Sequence, residues 1–342
     1  MGEVSGQYRT LAGLFQSHPR RTDLTGGRPQ MGLPPVRSMA ADHCLSSAIM
    51  QPMKVAVLSD IHGNLPALQT VIADIDAWSP DLVVVGGDII NRGPRSGDCL
   101  DALVERQATH GWQLLRGNHE DFVLDCADPR RALPGPGYET TRFAHFALGQ
   151  VAHHTGLLLA LPDAYERAAP NGDILRTVHA SMRNNRDGIY PLTTDEELRR
   201  QIAPGPAIFV TGHTHRPLVR TLDKTLVVNI GSVGASFDED RRAAYGRFAW
   251  DGEWAADIVR LPYDYAQIER DYVDSGFLEE GGPLAQIMLV ELRKARGLIF
   301  RWASRYQEAV MAGLMPLEES VRLVLCDDDV RPFTGPPGWT IS

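Results

Sequence analysis

The sequence predicts an α/β fold built on a largely parallel sheet, and two observations lead to that class. Short apolar runs rich in Val, Ile and Leu, bounded by Gly, Asp or Asn, are typical of buried strands; they fall in residues 54–62, 82–88, 112–120, 174–181 and 207–215. Helical spacing over residues 65–78 and 97–109 separates the early runs. Alternating strands and helices favour parallel strands, whose carboxyl ends meet at one crevice.

Each of the five runs ends in one or two side chains that can hold a metal ion. These are Asp60, His62, Asp88, Asn118, His179, His213 and His215. Because all of them follow strands, we expect residues far apart in the chain to converge at the crevice. In Asp60-x-His62 and His213-x-His215, residues two apart on an extended segment point to the same side, so each pair is expected to present two donors in one direction.

The donor types narrow the choice of metal. Carboxylate, imidazole and amide oxygen without thiolate suit ions such as Mn, Fe or Zn, and they exclude a structural zinc site built on cysteines. Seven donors are too many for one tetrahedral ion, whereas two ions that share Asp88 would each receive four. Two ions about 3.5–4 Å apart can hold both the attacking and the leaving oxygen of a displacement at phosphorus. The sequence therefore predicts a two-metal phosphoesterase site.

The order of the motifs, D-x-H, G-D, G-N-H-E, H and G-H-x-H, resembles the calcineurin-like metallophosphoesterase superfamily from Asp60 to His215. The resemblance implies a four-layer αββα sandwich with two sheets face to face. It also implies that Asp60, His62, Asp88 and His215 hold the first metal, and that Asp88, Asn118, His179 and His213 hold the second. His119 would assist the leaving group. The implied cofactors are two divalent ions from among Mn, Fe, Zn and Ni, with Mn expected in vitro.

Residues 87–96, GDIINRGPRS, resemble a segment of the serine/threonine protein phosphatases. The resemblance gives Arg92 the role of binding the substrate phosphoryl group, and a planar guanidinium matches two phosphate oxygens. Asn91 stands where those phosphatases carry an aspartate that orients the catalytic histidine. We expect the Asn91 oxygen to accept a hydrogen bond from His119, but a neutral amide cannot raise the imidazole pKa as a carboxylate would.

A second likeness covers more of the chain. Residues 178–191 and 227–248 resemble the small prokaryotic phosphodiesterase branch, with Ala180 and Ile230 in place of its usual Gly and Pro. This resemblance extends from Met53 to about Tyr265, so we favour this branch over the protein phosphatases. Arg183 and Tyr190 follow the His179 loop. Together with Asn91 and Arg92 they are candidate substrate contacts, and ordinary turn chemistry is the alternative for Arg183 and Tyr190.

Composition is that of a soluble enzyme. A net charge of −9 and a pI near 5.7 argue against a dedicated nucleic-acid binder, because such binders displace counterions with a basic surface. The sequence shows neither an apolar run long enough to span a bilayer nor a signal peptide, so we expect a cytoplasmic location without membrane attachment. The four cysteines are widely spaced, which favours free thiols; they are Cys44, Cys99, Cys126 and Cys326.

Three segments are predicted. Residues 1–52 are rich in Gly, Pro, Ser and Arg and contain no Lys, which is typical of a disordered extension. Residues 53–263 form the metallophosphoesterase domain, with a helical cap at about 122–162. Residues 264–342 form a C-terminal helical region, strongly amphipathic over 286–314, that either packs on the body or pairs subunits into a homo-oligomer.

The resulting hypothesis is hydrolysis of a phosphate mono- or diester by direct attack of a hydroxide bridging the two ions, with a small phosphorylated molecule as substrate. Two alternatives stay open. The NRGP segment favours a protein or dinucleoside-polyphosphate phosphatase. Some members of the fold have lost their metals and serve as scaffolds, but those usually lack one or more ligands, and this chain keeps every one.

Overall fold

The computed structural model describes residues 51–326. The disordered extension predicted for residues 1–52, Cys44, and residues 327–342 therefore lie almost wholly outside the described part of the chain. The strands are β1 (Met53–Leu58), β2 (Leu82–Val85), β3 (Gln113–Leu114), β4 (Ala164–Ala168), β5 (Ile174–Val178), β6 (Ile208–Thr211), β7 (Leu218–Leu222), β8 (Thr225–Asn229), β9 (Ala243–Trp250) and β10 (Trp254–Leu261).

The helices alternate with the early strands and dominate the C-terminal part of the chain. They are α1 (Leu65–Trp78), α2 (Ser96–His110), α3 (Asn118–Asp125), α4 (Pro136–Glu139), α5 (Arg142–Val151), α6 (Thr155–Ala160), α7 (Asp195–Ile202), α8 (Tyr265–Asp274), α9 (Phe277–Glu280), α10 (Leu284–Lys294), α11 (Leu298–Met311) and α12 (Leu317–Leu325). The two helices predicted between the early runs correspond to α1 and α2.

The strands form two five-stranded sheets. Sheet 1 has the order β10-β9-β1-β2-β3 and sheet 2 the order β4-β5-β6-β8-β7. The middle of each sheet is parallel: β1 pairs with β2 and β2 with β3 in sheet 1, and β5 pairs with β6 and β6 with β8 in sheet 2. Antiparallel strands complete the edges. The largely parallel sheet predicted from the early runs is therefore divided between two sheets.

Three groups of buried side chains define the layers. Between the sheets, Val55 and Val57 of β1 share one core with Val210 of β6 and Val228 of β8. On the outer face of sheet 1, apolar side chains pack with most of the helices. On the outer face of sheet 2, Phe209 and Val227 pack with Leu198 and Ile202 of α7. The predicted four-layer αββα sandwich is confirmed.

Local sequence explains why α1 begins and ends where it does. The Asn64 side chain accepts a hydrogen bond from Ala67 N at 3.2 Å, which satisfies one of the free N–H groups of the first turn. Proline follows at the start of the helix, where its missing N–H costs nothing. Leu68, Val71 and Ile75 recur every three or four residues on the buried face. Ser79 ends the helix in the left-handed conformation.

Residues 122–162, predicted as a helical cap, contain α4, α5 and α6 and the second half of α3. In α5, Phe143, Ala144, Ala147 and Val151 are buried, and they join the core on the outer face of sheet 1. The helices are therefore present and packed on the body. Their role as a cap over the crevice stays a prediction.

The amphipathic stretch predicted over residues 286–314 is two helices rather than one. Ala295 adopts a left-handed conformation, φ 49°, and Gly297 caps the next helix, so α10 ends and α11 begins there. Ile287 of α10 and Trp302 of α11 are buried in the core on the outer face of sheet 1. The C-terminal helices thus pack on the body, and pairing of subunits through them stays a prediction.

No helix within residues 51–326 combines the length and the apolar character that crossing a bilayer requires. In the same range Cys99 and Cys126 are buried free thiols, as their spacing predicts. Burial raises the pKa of the Cys126 thiol to about 12, so it stays protonated at neutral pH.

Candidate metal centre

The loops after the strands hold the predicted donors in an unusual backbone conformation. Positive φ angles occur at Asp60, His62, Asp88, Asn91, Arg92, His213 and His215. Non-glycine residues rarely adopt this region, and they cluster at functional sites when they do. The extended geometry predicted for Asp60-x-His62 and His213-x-His215 is therefore wrong. The donors converge because each loop turns sharply, not because alternate residues of a strand share a side.

Close packing explains two glycines in the motifs. A Cβ on Gly117 would lie 2.1 Å from Asp88 Oδ1, and one on Gly212 would lie 2.3 Å from Asp60 Oδ2. Both distances are far below van der Waals contact. Glycine at these two places lets the backbone approach the carboxylates that the site needs.

The first group of donors contains Asp60, His62, Asp88 and His215, all of them buried. His62 Nε2 lies 3.1 Å from His215 Nε2 and 3.7 Å from Asp88 Oδ2. His215 Nε2 lies 3.2 Å from Asp60 Oδ1. The four ligand atoms all lie within 4.8 Å of one another, so one cation could contact every member.

The second group contains Asp88, His179 and His213, with the Asn118 amide beside them. His179 Nε2 is 3.4 Å from Asp88 Oδ2. Asn118 Oδ1 lies 2.9 Å from His179 Nε2 and 2.8 Å from His213 Nδ1. Asp88 belongs to both groups. The structure thus brings together the residues that the resemblance implied as two ligand sets, with Asn118 beside the second group, and metal binding by them stays a prediction.

Hydrogen bonds behind two of the histidines leave their other ring nitrogens facing the donors. His179 Nδ1 donates to the Gly86 carbonyl at 2.9 Å, and His215 Nδ1 donates to the Ala235 carbonyl at 2.5 Å. Metal-binding histidines commonly have their outer nitrogen fixed in this way. With carboxylates, imidazoles and one amide oxygen in place, the described residues fit two divalent cations of the borderline class.

Electrostatics favour positive charge at the centre. Burial alone would raise the pKa of Asp88, but the positive charge of the neighbouring His179 and a hydrogen bond with it hold that pKa well below its ordinary value. Burial alone would lower the pKa of His179, but the charges of Asp88 and Asp60 raise it to about 9. The site thus attracts a buried positive charge, and bound cations would replace that proton.

Glu120 is a member of the site that sequence reasoning missed. Its Oε2 accepts hydrogen bonds from Asp88 N and Gly117 N, both at 2.8 Å, and its Oε1 accepts from Ile89 N at 2.8 Å. Burial and the nearby charge of Asp88 raise the pKa of Glu120 to about 7. This carboxylate joins the loop after β2 to the start of α3. The signal was available, because Glu120 is the last letter of the G-N-H-E motif.

The contact between Asn91 and His119 is present, but the predicted atom is wrong. Asn91 Nδ2 donates to His119 Nδ1 at 2.9 Å, because Asn91 Oδ1 already accepts from Arg92 N at 2.9 Å. His119 Nδ1 is therefore an acceptor, and the proton of the neutral ring lies on Nε2. Burial lowers the pKa of His119 to about 3, and the neighbouring Arg92 charge acts in the same direction.

Arg92 is buried beside the donors and is held by a residue far along the chain. Its Nη2 donates to Glu291 Oε2 of α10 at 2.5 Å, and its guanidinium lies 5.3 Å from the Phe237 ring. That ring stacks on His215 with 4.3 Å between centroids. Glu291 also accepts from Ile299 N at 2.7 Å, which joins α10 to α11. Sequence reasoning missed both Glu291 and Phe237.

The remaining predicted substrate contacts lie in different surroundings. The Arg183 guanidinium is exposed and pairs with Asp187 and with Glu197 of α7. Tyr190 lies near the metal centre, since a Cβ on Gly188 would meet both the Tyr190 ring at 3.0 Å and the His213 ring at 3.1 Å. Substrate binding by either residue stays a prediction.

Known proteins resemble this chain in sequence and in fold. Residues 53–217 match the family model described as calcineurin-like phosphoesterase. An uncharacterised protein of Methanocaldococcus jannaschii is 25% identical over 237 residues, which are 61% of this chain and 88% of that protein. Serine/threonine-protein phosphatase 1 of Salmonella typhimurium is 40% identical over 74 residues, but these are only 21% of this chain and 32% of the phosphatase.

Two crystal structures show the same fold. One is a metallophosphoesterase from Sphaerobacter thermophilus, with a TM-score of 0.57 and 23% identity over 72% of this chain and 100% of that chain. The other is a hypothetical protein from Pyrococcus horikoshii, with a TM-score of 0.58 and 19% identity over 69% of this chain and 97% of that chain.

Proposed function

We propose that this chain, which belongs to the calcineurin-like phosphoesterase family, hydrolyses a phosphate mono- or diester with the help of two divalent ions. One observation carries the proposal: two groups of donors, all buried except the partly buried His213, share Asp88, and with the adjacent Asn118 they contain every predicted metal ligand. A shared carboxylate is what a pair of neighbouring cations requires. The scaffold alternative loses support, because scaffolds of this fold usually lack ligands.

Each residue then has a separate task. When bound, the two ions would activate a water molecule and neutralise charge on the phosphoryl oxygens. Arg92 offers the substrate the guanidinium N–H groups that Glu291 does not occupy, and the ion pair with Glu291 fixes the plane of the guanidinium. His119 presents its Nε2–H to the leaving oxygen, because Nδ1 is occupied by Asn91. Closely packed backbone keeps these groups in place.

A second candidate is a protein phosphatase. The local likeness to a serine/threonine-protein phosphatase and the Arg92 segment support it, but that likeness covers 74 residues only. The same centre would serve either substrate class. The difference would lie in what binds around it.

The test is a substrate panel on the full-length protein reloaded with Mn²⁺. The panel contains 4-nitrophenyl phosphate, its bis ester, cyclic nucleotides and phosphopeptides. We expect turnover of at least one small ester, loss of turnover with a chelator, and recovery on adding Mn²⁺ back. A kcat/KM for phosphopeptides well above that of every small ester would favour the second candidate. Two bound ions without turnover of any ester would overturn the proposal.

A further inference from the structure

A cavity of about 340 Å³ lies beside the metal centre, and α11 forms one wall of it. We call it the α11 cavity. Its lining includes three arginines and three aromatic rings: Arg216, Arg301, Arg305, Tyr190, Phe237 and Phe300. Its volume is within the range of sites that hold small organic ligands. The cavity is therefore large enough for part of a substrate.

The α11 cavity adjoins the predicted metal ligands directly. Phe237 lines it and also stacks on His215, with 4.3 Å between the ring centroids and 19° between the planes. Thr214, which lies between His213 and His215 in the chain, lines it as well. A ligand group in the cavity would therefore be separated from the predicted metal ligand His215 only by the Phe237 ring.

Arginine side chains are concentrated in the cavity of an otherwise acidic protein. The chain has a net charge of −9, yet among the described residues that line the cavity there are three arginines and no Asp or Glu. Guanidinium groups pair with phosphate oxygens through two parallel hydrogen bonds. An arginine side chain has five N–H donors and keeps some of them when one is already paired, so three arginines lining one cavity can still bind an anionic ligand.

The aromatic side chains add a preference for a planar ring. Phe237 and Phe300 meet edge to face, with 6.1 Å between centroids and 89° between planes. Phe300 is 37% exposed, so part of its side chain is accessible to a ligand. Planar rings bind on such faces by stacking, and guanidinium groups stack on aromatic rings as well.

We propose that the α11 cavity binds the part of the substrate that carries a planar ring and a second phosphate, as in a nucleoside bisphosphate. This inference rests on the proposed phosphoesterase function, and it names the substrate class. The donors lie within the matched region, residues 53–217, whereas α11 follows it. Chemistry and substrate choice would thus be encoded in separate parts of the chain.

The experiment compares Arg305→Gln with the unaltered full-length protein, both loaded with Mn²⁺. Arg305 is exposed, so its replacement removes charge without opening the core. Calorimetric titration with ADP measures binding, and turnover is measured on adenosine 3′,5′-bisphosphate and on glycerol 2-phosphate, which has one phosphate and no aromatic ring. Arg322→Gln, an exposed arginine of α12 outside the cavity, is the matched control.

For Arg305→Gln we expect the Kd for ADP to rise at least about tenfold and kcat/KM for the bisphosphate to fall by a similar factor. The loss on glycerol 2-phosphate should be several times smaller. Arg322→Gln should change none of these values by more than about twofold. Equal losses of Arg305→Gln on both substrates, or unchanged ADP binding, would overturn the assignment of the cavity.

The experiment distinguishes failure of the proposed ligand binding in the α11 cavity from failure of the proposed phosphoesterase function. Weaker ADP binding by Arg305→Gln without turnover of any ester would support the cavity and reject the proposed function. Turnover of esters together with ADP binding that Arg305→Gln leaves unchanged would support the proposed function and reject the role of the cavity. Arg301→Gln, on the same helix, repeats the test at a second position and should shift the Kd in the same direction.

Discussion

Asp88 lies in both donor groups, within 3.4 Å of His179 Nε2 and 3.7 Å of His62 Nε2. Replacing it by Asn keeps the shape and removes the charge that both cations need, so we expect Asp88→Asn to weaken metal binding by at least about 100-fold and to abolish most turnover. Elemental analysis after dialysis gives the metal content. Asp76→Asn, which breaks an exposed pair with Arg106, is the control. Two retained ions with full turnover would disprove the bridging role.

His119 should matter for some leaving groups more than for others. Its Nε2–H can assist a departing alkoxide, whereas a nitrophenolate leaves with little help. We expect His119→Ala to slow hydrolysis of an alkyl phosphate by about 10²-fold or more, and that of a nitrophenyl ester much less, with metal content unchanged. Steady-state kinetics on both esters decides this. Equal losses would give His119 a positioning role, and loss of a metal a structural one.

Single residues also show where sequence reasoning stops. The motif order was enough to select every donor in both groups. It was not enough to predict which Asn91 atom meets His119, because that depends on the left-handed turn at Asn91 and Arg92, where Arg92 N takes the amide oxygen. An Asn side chain offers both a donor and an acceptor, and only the finished backbone selects between them.

At the scale of elements, α10 contributes Glu291 to a buried ion pair with Arg92. Removing one partner leaves the other charge buried, so we expect Glu291→Gln to lower the free energy of unfolding by about 2–3 kcal/mol. Urea unfolding measures it. Glu308→Gln on the exposed face of α11 should change it by less than about 0.5 kcal/mol. The double variant Arg92→Met with Glu291→Met should lose less than the sum of its single variants.

Glu291 had a sequence signal that spacing makes visible. It follows the buried Ile287 by four residues, so both lie on the same face of the amphipathic helix. A carboxylate on an apolar face needs a buried partner, because unpaired charge is costly there. The identity of that partner could not be predicted, since Arg92 lies 199 positions earlier in the chain. Contacts between residues so far apart in the chain produce no periodic pattern in the sequence.

For the whole molecule, removal of the N-terminal segment tests where the folded domain begins. The first strand begins at Met53, and the Gly, Pro, Ser and Arg content of residues 1–52 predicts a disordered extension. We expect a chain that begins at Met53 to keep its melting temperature within about 2 °C, as a change well below 1 kcal/mol implies. Turnover should also be kept. Thermal unfolding and the ester assay check both, and a large drop in either would make the segment part of the structure.

The architecture was predictable in its parallel parts and less so in the rest. The apolar runs that end in metal donors predicted β1, β2, β3, β5 and β6. A strand that is buried on both faces has a continuous apolar sequence, which makes it recognisable. The pairing of β1 with β9 had no such signal, because the paired residues, such as Met53 and Trp250, lie near opposite ends of the domain in the sequence. The amphipathic stretch is divided at Ala295, which adopts a left-handed conformation although it is not a glycine. A break at this residue therefore had no sign in the sequence.

The position of β1 between β2 and β9 has a consequence for the growing chain on the ribosome. About 200 residues separate β1 from β9, which at ordinary synthesis rates takes roughly 10–40 s. Throughout that interval one edge of β1 has no neighbour, and an open apolar edge invites pairing with other chains. Production in cells should therefore respond to chaperones that shield nascent strands, even where the finished protein is stable without them.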